Sequence, residues 1–199
     1  MNVIVKVTNA CDFACQYCSV GEPPKIQTIN IETIKRMVDG LPELLNKIGD
    51  EDISILWHGG EPLLMSIDFY REAMDYAKSH LSEYNLSFKI QSNGYLIDEK
   101  WIELFREYKV NVGISLDGYQ ELHDGNRRTK SGEPTFAVVM QKIALLREAD
   151  IHPGVLMVLN TADPIDVDRL FSFIQDNALS CKIHAVYPSG RAQLRQDIT

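Results

Sequence analysis

The chain contains 199 residues, of which 45% are hydrophobic, and its formal net charge at pH 7 is −8. That length and apolar content suit one hydrophobic core, so we expect residues 1–199 to form a single domain. The acidic balance argues against non-specific binding to nucleic acid, which requires basic surfaces. The sequence has no run of about 18 apolar residues and does not start with a basic segment leading into a long apolar run. We therefore expect a cytoplasmic protein without a transmembrane helix or signal peptide.

Short β-branched runs alternate with helical patterns along the chain. Strands are predicted at 3–7, 53–58, 86–91, 110–115, 154–159 and 181–186. Helices are predicted at 31–41 with a continuation beyond Pro42 to Gly49, at 67–82, from Asp98 to about 108, at 135–149, and from Asp163 and Pro164 onwards. Segment 118–134 is polar and longer than an ordinary connection, which predicts a functional loop.

Alternation of strands and helices at this spacing implies parallel strand pairing with right-handed crossovers. A complete eight-unit barrel requires about 250 residues. Six units therefore favour an α/β fold of the partial (β/α)6 barrel type, with parallel strands and outer helices. The alternative is a flat, doubly wound sheet, which is weakened because no G-x-G-x-x-G turn follows the first strand.

Three of the four cysteines follow the first strand directly, in the spacing C-x3-C-x2-C: Cys11, Cys15 and Cys18. A structural zinc site takes four protein ligands, and a ferredoxin-type cluster takes four thiolates. Three thiolates suit a four-iron cluster in which one iron is open to another molecule. The alternatives are a zinc site with His58 as fourth ligand, or ordinary buried thiols. Cys181 opens the sixth strand at its other end and is predicted to be a buried structural thiol.

Polar and glycine-rich stretches stand at the ends of other strands: GGEP after the second, QSNG at the end of the third, and SLDG after the fourth. In a parallel barrel, ligands bind at the carboxyl ends of the strands, so these stretches and the cysteines predict one site. Gly59 and Gly60 would let another molecule approach the backbone closely, and Glu61 would add a carboxylate. For any single stretch the alternative is an ordinary turn. His58 is interpreted as a core histidine or a catalytic base.

The ordered motifs CDFACQYC, WHGGEPLL, QSNGYLID, VGISLDG, ELHDGNR and GEPTF resemble the radical SAM enzymes, and among them the sulfatase-maturase and peptide-modifying (SPASM) branch. The resemblance extends from Val3 to about Arg191. It implies a [4Fe–4S] cluster on the three cysteines and S-adenosylmethionine at the open iron. The resemblance places Tyr17 near the adenine, and Gly59, Gly60 and Glu61 at the amino group of S-adenosylmethionine. It places Ser115 at the ribose, with Asp117 beside it, and Arg127 at the methionine carboxylate. Asn93 would contact the cofactor or the substrate. The alternatives are a surface aromatic for Tyr17, a turn for Asp117 and a solvated loop for Arg127.

The resemblance also implies the reaction. A flavodoxin- or ferredoxin-type donor supplies an electron, S-adenosylmethionine is cleaved to a 5′-deoxyadenosyl radical, and that radical takes hydrogen from a peptide or protein substrate. The alternatives are a glycyl-radical-enzyme activase or a non-catalytic iron–sulfur or partner subunit. Members of the branch usually carry a cysteine-rich C-terminal extension for auxiliary clusters. This chain has no such cysteines, so we expect either a fragment or a small member with one cluster.

Overall fold

The computed structural model describes residues 1–21, 23–160, 164–187 and 189–194. Within these ranges the strands are β1 (Asn2–Thr8), β2 (Asp52–Gly59), β3 (Asn85–Ser92), β4 (Asn111–Ser115), β5 (Gly154–Leu159) and β6 (Cys181–Ala185). The α-helices are α1 (Ile31–Ile48), α2 (Ile67–His80), α3 (Glu99–Glu107), α4 (Gln120–Asn126), α5 (Phe136–Glu148) and α6 (Val167–Asp176). Each strand lies within one residue of its predicted bounds at either end. In the part of the chain that is described, no helix is long and apolar enough to cross a membrane.

The six strands form one parallel sheet in the order β1-β2-β3-β4-β5-β6. Every crossover therefore steps in the same direction, and right-handed crossovers then place all connecting helices on the same face of the sheet. A doubly wound sheet requires a reversal of strand order, so that alternative is wrong and the partial barrel is confirmed. Among the described residues no ladder joins β6 to β1, which leaves the barrel open at that seam.

Alternation along the strands separates a core face from a barrel face, because successive side chains of a strand point to opposite sides. On β2, Ile55 and Trp57 are buried in the core with residues of the helices, such as Ile34 of α1 and Tyr70 of α2. The indole of Trp57 meets the ring of Tyr70 edge-on at 5.5 Å between centroids, a geometry that contributes about 0.5–1.5 kcal/mol beyond burial. The polar His58 alternates with these residues and faces the barrel interior. The single-domain expectation for residues 1–199 remains a prediction.

The predicted starts of α1 and α3 are confirmed, and a side chain caps each of them. The side chain of Asn30 accepts a hydrogen bond from Thr33 N at 2.8 Å, and Asp98 accepts one from Trp101 N at 3.0 Å; both satisfy a free N–H of the first helical turn. Gly49 ends α1 with a left-handed φ of 67°, as glycine commonly does. α1 continues through Pro42 without interruption.

Two predictions of secondary structure are wrong. Segment 118–134 contains the helix α4, because its apolar and polar side chains, including Leu122 and His123, are buried rather than solvated. α6 begins at Val167 instead of Asp163–Pro164, since the side chain of Asp166 accepts from Arg169 N at 3.0 Å and caps the helix there. Asp163 lies outside the described residues.

Candidate functional site

A cavity of about 310 Å³ opens at the carboxyl ends of the strands, within the size range of small-molecule sites. Its wall combines the cysteine loop (residues 11–18) with the ends of the barrel strands. Nine of the predicted site residues line it: Cys11, Cys15, Tyr17, Cys18, Gly59, Gly60, Asn93, Ser115 and Arg127. The tertiary fold therefore brings together residues more than 100 positions apart in the sequence. Glu61 and Asp117 are not among the lining residues.

The cysteine loop is held by a bracing segment, residues 126–130, which begins at the last residue of α4. Three backbone hydrogen bonds join the two: Ala14 N to Arg128 O (2.8 Å), Gln16 N to Asn126 O (2.9 Å) and Lys130 N to Asp12 O (3.0 Å). At the other end of the loop, Arg191 N donates to Cys18 O at 2.9 Å. The loop backbone is thereby fixed from two distant parts of the chain, which pre-positions the three thiols.

Gly59 and Gly60 allow the end of β2 to pack against the start of the cysteine loop. Gly59 has a φ of 144°, and a Cβ on it would collide with the carbonyl oxygen of Thr8; a Cβ on Gly60 would collide with that of Ala10. Because no side chain intervenes, two backbone hydrogen bonds form across this contact. Gly60 N donates to Thr8 O and Glu61 N donates to Ala10 O, both at 2.7 Å. The glycines are thus required by backbone packing, whatever they contribute to a ligand.

Glu61 lies behind the cavity wall. Its side chain is completely buried and accepts hydrogen bonds from Leu63 N (2.9 Å), Ser92 Oγ (2.8 Å) and Asn93 N (2.8 Å). Burial raises the pKa of this carboxyl to about 7, although the three donors act in the opposite direction. Because protein donors occupy its oxygens, the carboxylate positions the ends of β2 and β3. Its predicted contact with an ammonium group remains a prediction.

Asn93 lines the cavity with both ends of its amide engaged. Its Nδ2 donates to Asp12 Oδ1 at 2.7 Å, and its Oδ1 accepts from Tyr95 N at 2.9 Å. Asn93 therefore ties the end of β3 to the cysteine loop. Its predicted hydrogen bond to a cofactor or substrate remains a prediction.

Asp117, like Glu61, is occupied by protein donors, and its predicted place beside the cofactor remains a prediction. It is 1% exposed; its Oδ2 accepts from Arg127 Nε at 2.8 Å and from the hydroxyl of Tyr17, and its Oδ1 accepts from Val158 N at 2.9 Å. The carboxylate therefore joins β4 to β5 and to the cysteine loop. Burial raises the pKa of Tyr17, so the phenol stays protonated and can donate to Asp117.

Arg127 is buried against the cysteine loop rather than solvated. Its guanidinium carbon lies 5.4 Å from the centroid of the Tyr17 ring, and its Nε is occupied by Asp117. Arg127 still lines the cavity. A two-pronged contact from Arg127 to a carboxylate would therefore use its terminal Nη atoms.

The neighbouring His123 is fully buried and has one consistent protonation state. Its Nδ1 accepts from Asp117 N at 3.2 Å, so the proton is on Nε2, which lies 3.0 Å from Thr135 Oγ1. The Thr135 hydroxyl in turn donates to Arg127 O at 2.9 Å. Burial lowers the pKa of His123 to about 4, and a neutral imidazole satisfies all three contacts.

Several side chains line the cavity without a role predicted from the sequence, namely Lys6, Gln91 and His184. His58 also lines the cavity, and it is half-buried rather than a satisfied core histidine. Gln91 Nε2 donates to Ser115 Oγ at 3.0 Å. This contact is possible because Gly113 lies between them, and a Cβ there would collide with the Gln91 side chain. The strict in–out alternation of the strands is the signal that would have identified these residues.

The donor set fits an iron–sulfur cluster. Three thiols share one cavity wall, and burial raises the pKa of Cys11 to about 12 and also raises that of Cys15. Both thiols are therefore protonated before metal binding, which would release protons. Among the described residues no three His, Cys, Asp or Glu side chains are grouped to hold a single metal ion. A multi-iron cluster attaches its thiolates to different irons, so its ligands need not converge on one point.

The chain belongs to the Radical SAM superfamily, whose model matches residues 5–174. Members of this superfamily use a [4Fe–4S] cluster and S-adenosylmethionine. A curated relative, the serine-type anaerobic sulfatase-maturating enzyme of Bacteroides thetaiotaomicron, is 36% identical over 184 residues, covering 86% of this chain and 43% of the relative.

Two groups of solved structures share the fold. The structure of anSMEcpe with bound AdoMet and the Kp18Cys peptide matches with a TM-score of 0.84 and 25% identity, over 94% of this chain and 51% of that one. Streptococcus suis SuiB bound to its precursor peptide SuiA matches with a TM-score of 0.66 and 16% identity, over 94% and 39%. The latter supports the fold alone. The chain thus spans about half the length of the maturase relatives that it resembles.

Proposed function

We propose that this chain binds a [4Fe–4S] cluster through Cys11, Cys15 and Cys18 and catalyses a radical S-adenosylmethionine reaction on a peptide or protein. When bound, these cofactors supply the electron transfer and the 5′-deoxyadenosyl radical that removes a substrate hydrogen atom. The observation that carries the proposal is the shared cavity, in which the three thiols, Ser115 and Arg127 meet at the open end of the barrel.

The protein's own contribution is to hold and orient. Gly59 and Gly60 present backbone groups to the cavity, and Gln91 fixes the hydroxyl oxygen of Ser115. Since Ser115 Oγ accepts from Gln91, its proton is available to an acceptor on a bound cofactor. Tyr17 and Asp117 hold Arg127 against the cysteine loop, so that its charge stays near the site. Holding reactants rigidly in this way accounts for a large share of enzymatic rate enhancement.

The peptide or protein substrate is proposed from relatedness. The similar relatives include sulfatase-maturating enzymes, and the anSMEcpe structure holds a peptide together with AdoMet. These similarities favour a maturase-type modification over the activity of a glycyl-radical-enzyme activase. A flavodoxin- or ferredoxin-type electron donor belongs to the same proposal, as does a reducing, cytoplasmic setting in which the four cysteines stay free.

Anaerobic reconstitution with iron and sulfide, followed by S-adenosylmethionine and dithionite, tests the proposal. We expect about four irons per chain and formation of 5′-deoxyadenosine. Cys15→Ala removes a thiol from the cavity wall and should abolish both. Cys181→Ala is the matched control, because Cys181 lies at the start of β6 and outside the cavity wall; it should retain both. A folded wild-type protein that takes up iron but forms no 5′-deoxyadenosine would show that the chain is not an enzyme of this kind.

A further inference from the structure

Two adjoining cavities have walls without a carboxylate. Beside the cavity of about 310 Å³ lies an open groove of about 950 Å³ along β1, and the two share Lys6, Ser19, Val20, Gly59 and Gly60. Among the described residues, neither wall contains an Asp or Glu. The chain as a whole has 28 acidic residues against 20 Lys and Arg, so the combined surface differs in charge from the rest of the molecule.

Lys6 and His58 lie side by side on this surface. They are direct partners in the β1–β2 ladder and both line the cavity. The Lys6 side chain is exposed, and no carboxylate of the described residues lies within 4 Å of its Nζ. A cation in a cavity wall without a protein counter-ion is free to meet a charge on a ligand.

His58 adds a directional donor. Its Nδ1 lies 2.6 Å from Gly59 N and 3.3 Å from Gly59 O. The shorter contact makes Nδ1 an acceptor, which leaves the proton on Nε2. Burial lowers the pKa of His58, and the nearby charge of Lys6 lowers it further. Near neutral pH the imidazole is therefore an uncharged N–H donor beside an ammonium group.

Arg127 is the cation that packs on Tyr17 of the cysteine loop. Its guanidinium carbon lies 5.4 Å from the centroid of the Tyr17 ring, and its Nε donates to Asp117 Oδ2 at 2.8 Å. Lys6 lies on β1 beside His58. In the proposed function, Ser115 and Arg127 serve the cofactor, and Lys6 and His58 have no assigned task.

We propose that Lys6 and His58 form a subsite for a carboxylate of the peptide substrate. This inference rests on the proposed function and specifies its substrate: a peptide with an acidic group close to the reacting residue. An ammonium group supplies charge, and an imidazole N–H supplies one directed hydrogen bond, a combination suited to a carboxylate. The carboxylate comes either from an Asp or Glu side chain or from a peptide terminus.

Three small probes distinguish these sources by ligand-observed NMR on the anaerobically reconstituted protein with S-adenosylmethionine. N-acetylglutamate N-methylamide carries only a side-chain carboxylate, N-acetylglutamine only a terminal one, and N-acetylglutamine N-methylamide none. We expect one of the two acids to bind at least about fivefold more tightly than the neutral probe. Lys6→Met should remove that preference. Lys25→Met is the matched control, since Lys25 lines only the larger groove, and it should keep the preference.

Three results would overturn the subsite: equal binding of all three probes, a preference that survives in Lys6→Met, or a Lys6→Met variant whose only loss is affinity for S-adenosylmethionine. His58→Gln retains an N–H donor and should keep part of the preference, whereas His58→Leu should weaken it further. The probe titration is also run on the protein without cluster. A carboxylate preference there, combined with no 5′-deoxyadenosine from the reconstituted protein, would refute the proposed function and leave the subsite standing.

Discussion

At the scale of single residues, the tightest constraints in the site fall on Gly59 and Gly60. Their neighbours are the backbone carbonyls of Thr8 and Ala10, at the end of β1 and just before the cysteine loop, and backbone atoms cannot turn aside as a long side chain can. Two backbone hydrogen bonds run through the same contact. Even one methyl group at either position must therefore displace the end of β2 or the loop that bears the thiols.

Gly60→Ala should lower the free energy of unfolding by about 1–3 kcal/mol and reduce the iron bound after reconstitution. Gly40→Ala is a matched control, because Gly40 lies inside α1 with nothing within 4 Å of an added Cβ. That change should stabilise the protein by up to about 1 kcal/mol, since alanine is the better helix former. Urea unfolding and iron content measure both variants. Equal stability of the two variants would contradict the packing argument.

At the scale of elements, α4 and the bracing segment connect the site to α5. Thr135 precedes α5 without a side-chain cap of its own. In its place Asp124 of α4 accepts from Thr135 N at 2.8 Å and from Phe136 N at 2.9 Å. One buried carboxylate of α4 thus caps the start of α5 and joins the two helices. This contact holds the bracing segment between them, which in turn braces the cysteine loop.

Asp124→Ala should therefore affect stability and cofactor content together. We expect a loss of about 2 kcal/mol or more, because one buried and one partly buried N–H group lose their acceptor, along with reduced iron retention. Asp98→Ala removes a comparable cap from α3, far from the bracing segment, and should cost about 1 kcal/mol without reducing iron. Denaturant unfolding and iron analysis would separate the two effects. Full iron retention in Asp124→Ala would show that the bracing segment does not depend on α4.

For the whole molecule, two buried titratable groups, His123 and Glu61, have opposite effects on how stability changes with pH. His123 is held neutral, with a pKa lowered by burial from 6.5 to about 4. The folded protein therefore binds fewer protons here than the unfolded chain, and stability is lost as pH falls from about 6.5 towards 4. The pKa of Glu61 is raised by burial from 4.5 to about 7, so its contribution is lost as pH rises through that range. The two effects offset each other in the wild type.

Replacing His123 with Gln should remove the His123 contribution to the pH dependence of stability. Gln keeps an N–H for Thr135 but does not titrate. As pH falls from 6.5 to about 4, the stability of wild type relative to His123→Gln should decrease by up to roughly 3 kcal/mol, because each pKa unit corresponds to about 1.4 kcal/mol. Unfolding free energies across this pH range provide the measurement. A difference between wild type and variant that does not change with pH would show that His123 titrates normally in the folded protein.

The strand positions, the parallel barrel and the residues that could bind the cluster followed from the sequence alone. Strand periodicity is a local property, and the three cysteines are close in sequence, so neither depends on distant contacts. The strand-end motifs placed Ser115 on the same cavity as the thiols, since parallel strands bring their carboxyl ends to one edge. Arg127 lies in the segment after the fourth strand and was predicted at this cavity from the family resemblance.

Which side chains face the cavity depends on the tertiary structure. Glu61 is turned away by Ser92 and Asn93 at the end of β3, and Asp117 is turned away by Val158 on β5 together with Arg127. Those donors are 10–41 positions distant in the chain, beyond the reach of a local pattern. Lys6 and His58 emerge as cavity residues because the curved sheet directs one face of β1 and β2 inward. A polar residue at a strand end can be found from sequence, but its direction depends on hydrogen-bond partners that folding supplies.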